Sequence, residues 1–395
     1  MVPPGAAQRA AHVAAPAIVI FQANLEAVER AAGAAGITTD LQGGELRLVA
    51  APDELSRLRS VLQDRGEHET AEALGRYLAP ERQWKLRTRE LPLDRPHVMG
   101  ILNLTEDSFS GDGVGSNVAA ALRRAEELRS AGVAIVDVGA ETARADRPAL
   151  DAADEAAAVA PVVAALTREG HCVSIDTYKP AVAVAALDAG AEAVNDISGL
   201  TLGAGAASQA AKAAAGYVLN YSYSVPKRRP DRPPVYADVV AETVDWMSSR
   251  VAALRELGIA DGRIAVDPGI AFGKSHDEDL QVLRRLGEFR TLGLPILLAH
   301  SRKNFIGSIS GPPPQDRDLE THVAAALAFE QGARIFRVHD AAGAARALEI
   351  AAAITASAAG AFAPDGESWP WRAGASAAHM TRAASDKAAP PGQRW

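Results

Sequence analysis

From residue 97 onward the chain alternates short apolar runs with amphipathic helical stretches. The runs are Val98–Leu104, Ala134–Val138, Val173–Asp176, Ala193–Asp196, Tyr217–Asn220, Ile264–Asp267, Pro295–Ala299 and Ile335–Val338, eight in all. Between them lie helix-like segments such as Ala119–Ala131, Ala152–Arg168, Ala181–Ala189, Val239–Leu257, Asp279–Arg290 and Glu320–Gln331. Strand–helix alternation joins parallel strands through crossovers. Eight such units predict an α/β fold closed into a (β/α)8 TIM barrel over residues 97–356. No unit resembles the next, so the pattern is not a short-period repeat.

The stretch before the barrel has a different texture. Ala17–Phe21 and Glu45–Val49 read as strands, Leu25–Ala35, Glu54–Arg65 and Glu69–Leu78 as helices, and Gly43-Gly44 as a turn. Residues 16–90 are therefore expected to form a small α/β module, a scaffold or oligomerisation unit with no recognisable chemistry. Residues 1–15 and 360–395 are rich in Ala, Gly and Pro and predict a disordered arm and tail. Trp369, Trp371 and Trp395 in the tail show no periodicity, and either a docking segment or an ordinary tail accommodates them.

Composition narrows the classes. The chain has 395 residues, 48% apolar and 23% charged, enough for a barrel with its own core plus a smaller unit. A net charge of −8 argues against a broad nucleic-acid surface, so any phosphate must be held by a local cluster. No run reaches the roughly 18 apolar residues of a membrane span, and the N-terminus lacks the layout of a signal peptide. Cys172 is the single cysteine. It excludes an intrachain disulfide, fits a reducing, cytoplasmic setting, and reads as a small core hydrophobe.

Candidate chemistry sits where the apolar runs stop. They end at or near Asn103, Asp137, Asp176, Asn195-Asp196, Asn220 and Asp267; the last two lead into His300-Ser301-Arg302-Lys303 and Arg337-Val338-His339-Asp340. A closed barrel gathers these ends on one rim, where barrel active sites are built. Helix capping explains any one of them, but not eight in register. Asp176, Asn195 and Asp267 suit a flat heterocycle with an amide-amidine edge, because a carboxylate accepts two parallel N–H bonds. Arg144, Lys303, Arg337 and His339 suit a phosphate, and Asn103 could orient an anion or a metal-bound oxygen. Such a rim calls for a ring that carries phosphate.

These residues also form strings. Val98-Met99-Gly100-Ile101-Leu102-Asn103-Leu104-Thr105-Glu106-Asp107-Ser108-Phe109-Ser110 resembles the first signature of dihydropteroate synthases. Asp137-Val138-Gly139-Ala140-Glu141-Thr142-Ala143-Arg144 resembles the second, Ser174-Ile175-Asp176-Thr177-Tyr178-Lys179 the third, and Asn195-Asp196-Ile197-Ser198-Gly199 the fourth. Asp267-Pro268-Gly269-Ile270-Ala271-Phe272-Gly273-Lys274, Ser301-Arg302-Lys303-Asn304-Phe305-Ile306-Gly307 and Arg337-Val338-His339-Asp340 follow in the family's order. The resemblance implies that Asp176, Asn195, Asp267 and Lys303 hold a pterin ring. It implies that Asn103, Arg337 and His339 hold its diphosphate, with Mg2+ at Asn103, and that Arg144 closes over it. Phe109 and Phe272 would flank p-aminobenzoate. The implied reaction expels diphosphate from the pterin methylene carbon and captures the resulting cation with the aromatic amine. The implied partners are these two small molecules, with no nucleic acid, no membrane and a homodimer as the candidate assembly.

Departures from the family pattern cluster on the amine side. Glu106 and Ala145 stand where the family has Pro, Ala143 and Asn304 where it has Ser, and Ala271 and Ala299 where it has Gly. Asn220 falls near the family's fifth-strand His. Three readings therefore stand: a dihydropteroate synthase, a pterin-binding barrel that no longer condenses, and a methyltetrahydrofolate-dependent methyltransferase. The last does not need the cations of Ser301–Lys303 and Arg337–His339. Side signals are bland. Gly269–Ser275 is one residue short of a P-loop, and the sequons at Asn103 and Asn220 are chance matches. Ser275–Asp279 opens a helix rather than a metal site, and Lys227-Arg228-Arg229 is a solvated charge run in a Pro-rich loop.

Overall fold

The computed structural model describes residues 17–21, 25–42, 45–105, 113, 115–142, 147–223 and 234–358. The expected arm and tail, the Gly43-Gly44 turn and the Lys227-Arg228-Arg229 loop lie outside the described residues, as do Phe109, Ala143, Arg144 and Ala145.

The N-terminal unit runs β1 (Ala17–Phe21), α1 (Leu25–Ala34), β2 (Thr39–Gln42), β3 (Glu45–Ala50), α2 (Pro52–Asp64) and α3 (His68–Leu78). Its strands form an antiparallel sheet in the order β1-β3-β2. Leu46 and Leu48 on alternate positions of β3 meet Val28, Leu55, Leu58, Leu62 and Leu74 from the helices, a core of its own. The short β2 escaped the sequence reading because Thr39-Asp40-Leu41-Gln42 is mostly polar; it is an edge strand. This unit docks on the barrel's flank. Arg76 Nε donates to Thr291 O at 2.7 Å, and the Arg290 guanidinium lies 4.1 Å from the Tyr77 ring centroid.

A hairpin, β4 (Gln83–Lys85) and β5 (Glu90–Pro92), follows. Residue 90, the expected end of the module, falls inside it, and its apolar side chains belong to the barrel. Trp84, Leu86 and Leu93 pack on Met99, Ile135, Cys172, Val218, Ala265, Leu297 and Ile335. Trp84 is fully buried and its indole N–H donates to Arg263 O at 3.0 Å. Gly216 permits the approach, since a Cβ there would come 2.8 Å from Leu86 Cδ2.

The barrel comprises β6 (His97–Asn103), α4 (Val118–Ser130), β7 (Ile135–Gly139), α5 (Ala152–Arg168), β8 (Val173–Asp176), α6 (Pro180–Asp188), β9 (Ala193–Asp196) and α7 (Gly205–Lys212). It continues with β10 (Gly216–Asn220), α8 (Val239–Glu256), β11 (Ile264–Asp267), α9 (His276–Arg284), β12 (Ile296–Leu298), α10 (Asn304–Ser310), α11 (Asp318–Glu330), β13 (Ala333–Val338) and α12 (Ala341–Ala358). Strands β6 to β13 close a parallel barrel, each run read from the sequence forming one strand. Helix starts follow ordinary capping. Asp151 accepts from Ala153 N, Asn117 from Ala120 N, and Ser275 and Glu278 form a capping box on α9. Small residues such as Ala125, Ala186, Ala210 and Ala328 line the buried helix faces and let the helices lie close to the strands.

Period-two alternation sorts each strand into an outward series packed on helices and an inward series. Val138, Val173, Ile175, Val194, Leu219, Val266 and Phe336 go outward into the main core. The inward series starts apolar at the base, with Met99, Ile135, Ala193, Val218, Ala265, Leu297 and Ile335. Two or four residues further along the same strands stand Asn103, Asp137, Asn195, Asn220, Asp267 and Arg337, at the C-terminal mouth. Cys172, also inward at the base, is buried and reduced, with its thiol pushed up to about 12 by burial. Trp84→Ala is expected to lower the unfolding free energy by about 3–5 kcal/mol, read from urea denaturation, while leaving the mouth intact.

Candidate active site

One side of the mouth is organised around a buried carboxylate. Asp137, on β7, is fully buried. It accepts from Arg337 Nε at 2.5 Å, from Asn195 Nδ2 at 3.0 Å and from the Ser174 hydroxyl. The donors come from β13, β9 and β8, so one side chain ties four strands together. Arg337 reaches on with Nη2 to Asp176 Oδ2 at 2.7 Å. Burial opposes a charged guanidinium, but the charges of Asp137 and Asp176 hold the Arg337 pKa above its usual value. Burial pushes the Asp176 carboxyl up to about 7, against the pull of Arg337. Asn195 spends an amide N–H on Asp137, which keeps its side-chain carbonyl oxygen as an acceptor for another group.

Across the mouth, Asp267 ends β11, with Asn220 beside it in the β10–β11 ladder. Burial raises the Asp267 pKa, partly offset by Lys303 and by the Gly269 N–H donated to Oδ1 at 2.9 Å. Lys303 Nζ donates to Ile270 O at 2.5 Å and lies 4.8 Å from the Phe272 ring centroid. Burial pushes Lys303 down to about 8, with Asp267 and Asp279 acting the other way. His339 follows β13, its Nδ1 2.8 Å from Ser301 Oγ. Asn103 stands half-buried at the end of β6.

Asn103, Asp176, Asn195, Asp267, Lys303, Arg337 and His339 thus share one mouth, as the sequence reading expects. Phe272 is there too, whereas Phe109 and Arg144 lie outside the described residues. Arg337 was grouped by sequence with the anion-binding cations; its guanidinium is engaged by the two acids on the ring side. Asn304 Oδ1 accepts a 3.3 Å bond from Arg317 Nη1, which also donates to Arg302 O and Lys303 O.

The structure gives three residues parts that the sequence pattern does not assign. Asp137 appeared only as one polar strand end among eight. Its shared inward phase with Ser174 and Asn195 was the available signal. Lys274 donates to Pro268 O and Gly269 O at 2.9 and 3.1 Å and sits 3.6 Å from the Tyr221 centroid; burial pushes it down to about 7. Asp279, read as a helix-dipole residue, is buried. Its Oδ1 accepts from the N–H of Ala271, whose φ of +65° is one that glycine adopts freely. The carboxylate thereby braces the turn that presents Ile270 O and Phe272 to Lys303.

A sheet closed into a barrel, with acids and amides inside the mouth and cations beside them, defines an enzyme that binds a polar ring bearing an anion. Residues 99–339 match the family model described as pterin binding enzyme. The dihydropteroate synthase of Escherichia coli (strain K12) is 37% identical over 251 residues, 63% of this chain and 88% of that protein. That of Bacillus subtilis (strain 168) is 38% identical over 244 residues, 62% of this chain and 83% of that one. Among solved structures, the Yersinia pestis dihydropteroate synthase with a sulfonamide drug complex superposes with a TM-score of 0.66 at 35% identity, covering 70% of this chain and 99% of that one. The Burkholderia cenocepacia enzyme complexed with 7,8-dihydropteroate gives 0.64 at 36%, covering 71% and 98%. The chain belongs to the dihydropteroate synthase family of pterin-binding enzymes.

Two outcomes test the electrostatics. Asp137→Asn leaves the Arg337 charge without its main partner and is expected to cost about 3 kcal/mol of stability by chemical denaturation. Lys303 binds its proton less tightly folded, with a value of about 8, than unfolded. Between about pH 8 and 10.4 the unfolded chain holds the extra proton, so this group's contribution to stability grows as pH rises and is lost as it falls. The stability of Lys303→Met relative to the parent is therefore expected to decline from pH 7 to pH 10, measured by urea titration at both.

Proposed function

We propose that the chain is a dihydropteroate synthase, joining 6-hydroxymethyl-7,8-dihydropterin diphosphate to p-aminobenzoate with release of diphosphate. The observation that carries the reading is the convergence of Asp176, Asn195, Asp267 and Lys303 from both sides of the mouth around the Arg337–His339 strand end. Asp267 Oδ2, Lys303 Nζ and the Asn195 carbonyl supply a matched set of acceptors and a donor for the amino-pyrimidinone edge. Asp176, tied to Arg337, completes that set. Asn103, His339 and Arg337, the last through the Nη1 beyond its bonds to Asp137 and Asp176, hold the diphosphate, and Arg144 closes over it. Phe109 and Phe272 flank the amine.

In the reaction the bond from the pterin methylene carbon to the diphosphate oxygen breaks, and its electron pair leaves with the diphosphate. The amine nitrogen then bonds to the carbon and gives up a proton. Stabilising the departing anion dominates such chemistry, with one well-placed donor worth about 3 kcal/mol. Mg2+ fits this donor set. Magnesium bound to a nucleotide-like diphosphate takes most of its ligands from phosphate and water and needs only one or two from protein. Asn103 offers a neutral amide oxygen, and the described residues hold no cluster of three or more acids, histidines or cysteines to compete for the ion. Asn103 would hold the ion, whose charge would add to that of the cations at the leaving group.

We further propose a homodimer. Leu319, Val323 and Leu327 form an exposed stripe on α11, continued by Ile350 and Ile354 on the adjacent α12. A cytoplasmic setting accords with the unpaired Cys172, and no helix among the described residues is long and apolar enough to cross a membrane.

The test is diphosphate release by purified protein with Mg2+, run with and without p-aminobenzoate. Release that requires both substrates, with dihydropteroate as the other product, is expected. Binding of the pterin diphosphate without release would favour a non-condensing barrel, and methyl transfer from methyltetrahydrofolate would favour the methyltransferase reading.

A further inference from the structure

The loop that follows β7 leaves the barrel at Glu141 and rejoins it at α5, and its two stems meet at one ammonium group. Lys179 Nζ donates to Glu141 Oε2 at 2.7 Å, to Leu150 O at 2.8 Å and to Glu155 Oε2 at 2.5 Å. Glu141 lies on the outgoing stem, Leu150 on the returning one, and Glu155 in the first turn of α5. The stems are also joined directly, because Leu150 N donates to Glu141 Oε2 at 2.6 Å. From the β8 side, Tyr178 OH donates to Glu141 Oε1 at 2.7 Å and Thr177 Oγ1 to Glu155 Oε1 at 3.0 Å. Lys179 and both carboxylates are buried, with side-chain exposures of 10, 7 and 1%.

This arrangement is costly to build. Two acids and a base lose their water here, and burial opposes charge on all of them. Yet the bonds to Glu141 and Glu155 hold Lys179 above its usual pKa against that opposition, and those from Lys179 and Tyr178 hold Glu141 below its own. A pair of apolar side chains would fill the same space without that cost. What the ions add is fixed geometry, since an ammonium with three acceptors locks three backbone segments at once. One of those segments continues directly from Asp176 through Thr177 and Tyr178.

We propose that Lys179, with Glu141 and Glu155, is a positioning device that fixes the base of the loop carrying Arg144 relative to the pterin carboxylate Asp176. The inference rests on the proposed role of Arg144 at the diphosphate. It assigns Lys179 to the anion and amine half of the reaction rather than to ring binding, although its residue neighbours Asp176 in sequence. Misplacement of a loop by about 1 Å is enough to cost up to a hundredfold in rate.

The test compares two ligands by calorimetry on the full chain with Mg2+: 6-hydroxymethylpterin, which lacks phosphate, and the pterin diphosphate. For Lys179→Met, affinity for the bare pterin is expected to stay within about twofold while that for the diphosphate falls about tenfold, and in turnover the KM for the amine rises with kcat reduced. Tyr178→Phe removes one hydroxyl and keeps all charges. It is expected to shift the same quantities in the same direction by a few fold, so the proposal stays testable if Lys179→Met does not fold. Equal losses for both ligands, tracking a lowered melting temperature, would show a purely structural role and overturn the inference, as would no change in either. A parent protein that releases no diphosphate sinks the synthase reading instead, and leaves the comparison of the two ligands to judge Lys179 on its own.

Discussion

The ion pair that bridges Arg337 to Asp137 and Asp176 is the constraint on which the mouth depends. Three charges are withdrawn from water within a ring of parallel strands, and each is tolerable only because the others are there. Asp137 presents no oxygen to a ligand that is not already engaged by Arg337, Asn195 or Ser174. Its work is done through those neighbours. It sets which face of the Asn195 amide looks outward, and it keeps a guanidinium next to Asp176 while the opposite side of the mouth stays in the hands of Lys303 and Asp267.

The same economy recurs around the rim. Asp279 braces a left-handed Ala271, Lys274 ties down the carbonyls of Pro268 and Gly269, and Lys179 clamps the stems of the β7–α5 loop. In each case a charged group outside the proposed ligand contacts orders the backbone beside a residue proposed to make one. The substitution of alanine for the family's glycine at residue 271 is tolerated within this scheme. The turn keeps its positive φ because Asp279 accepts the N–H there.

The barrel was legible because its strands are largely buried on both faces and most stop at a polar residue, so run lengths and boundaries stand out of the text. The candidate site was legible for the same reason, since Asn103, Asp176, Asn195 and Asp267 are strand ends. What escaped were pairings. No local pattern says that Asp137 meets Arg337, 200 residues away, or that Lys179 meets Glu141 and Glu155. Such contacts follow from which phase of each strand faces inward, and from loop paths that periodicity does not encode. The β4–β5 hairpin escaped because its strands are three residues long and their key contact, Trp84 under the barrel, is made with the far side of the chain.

The Trp84 hairpin gives the barrel a sealed floor. A cup with one opening admits ligands past the C-terminal strand ends, where Asp267, Lys303 and Phe272 stand. The fused N-terminal unit, attached on the flank near Thr291 and Arg290, stands clear of that doorway. Changes in this appendage therefore bear on the barrel wall rather than on the ligands' way in.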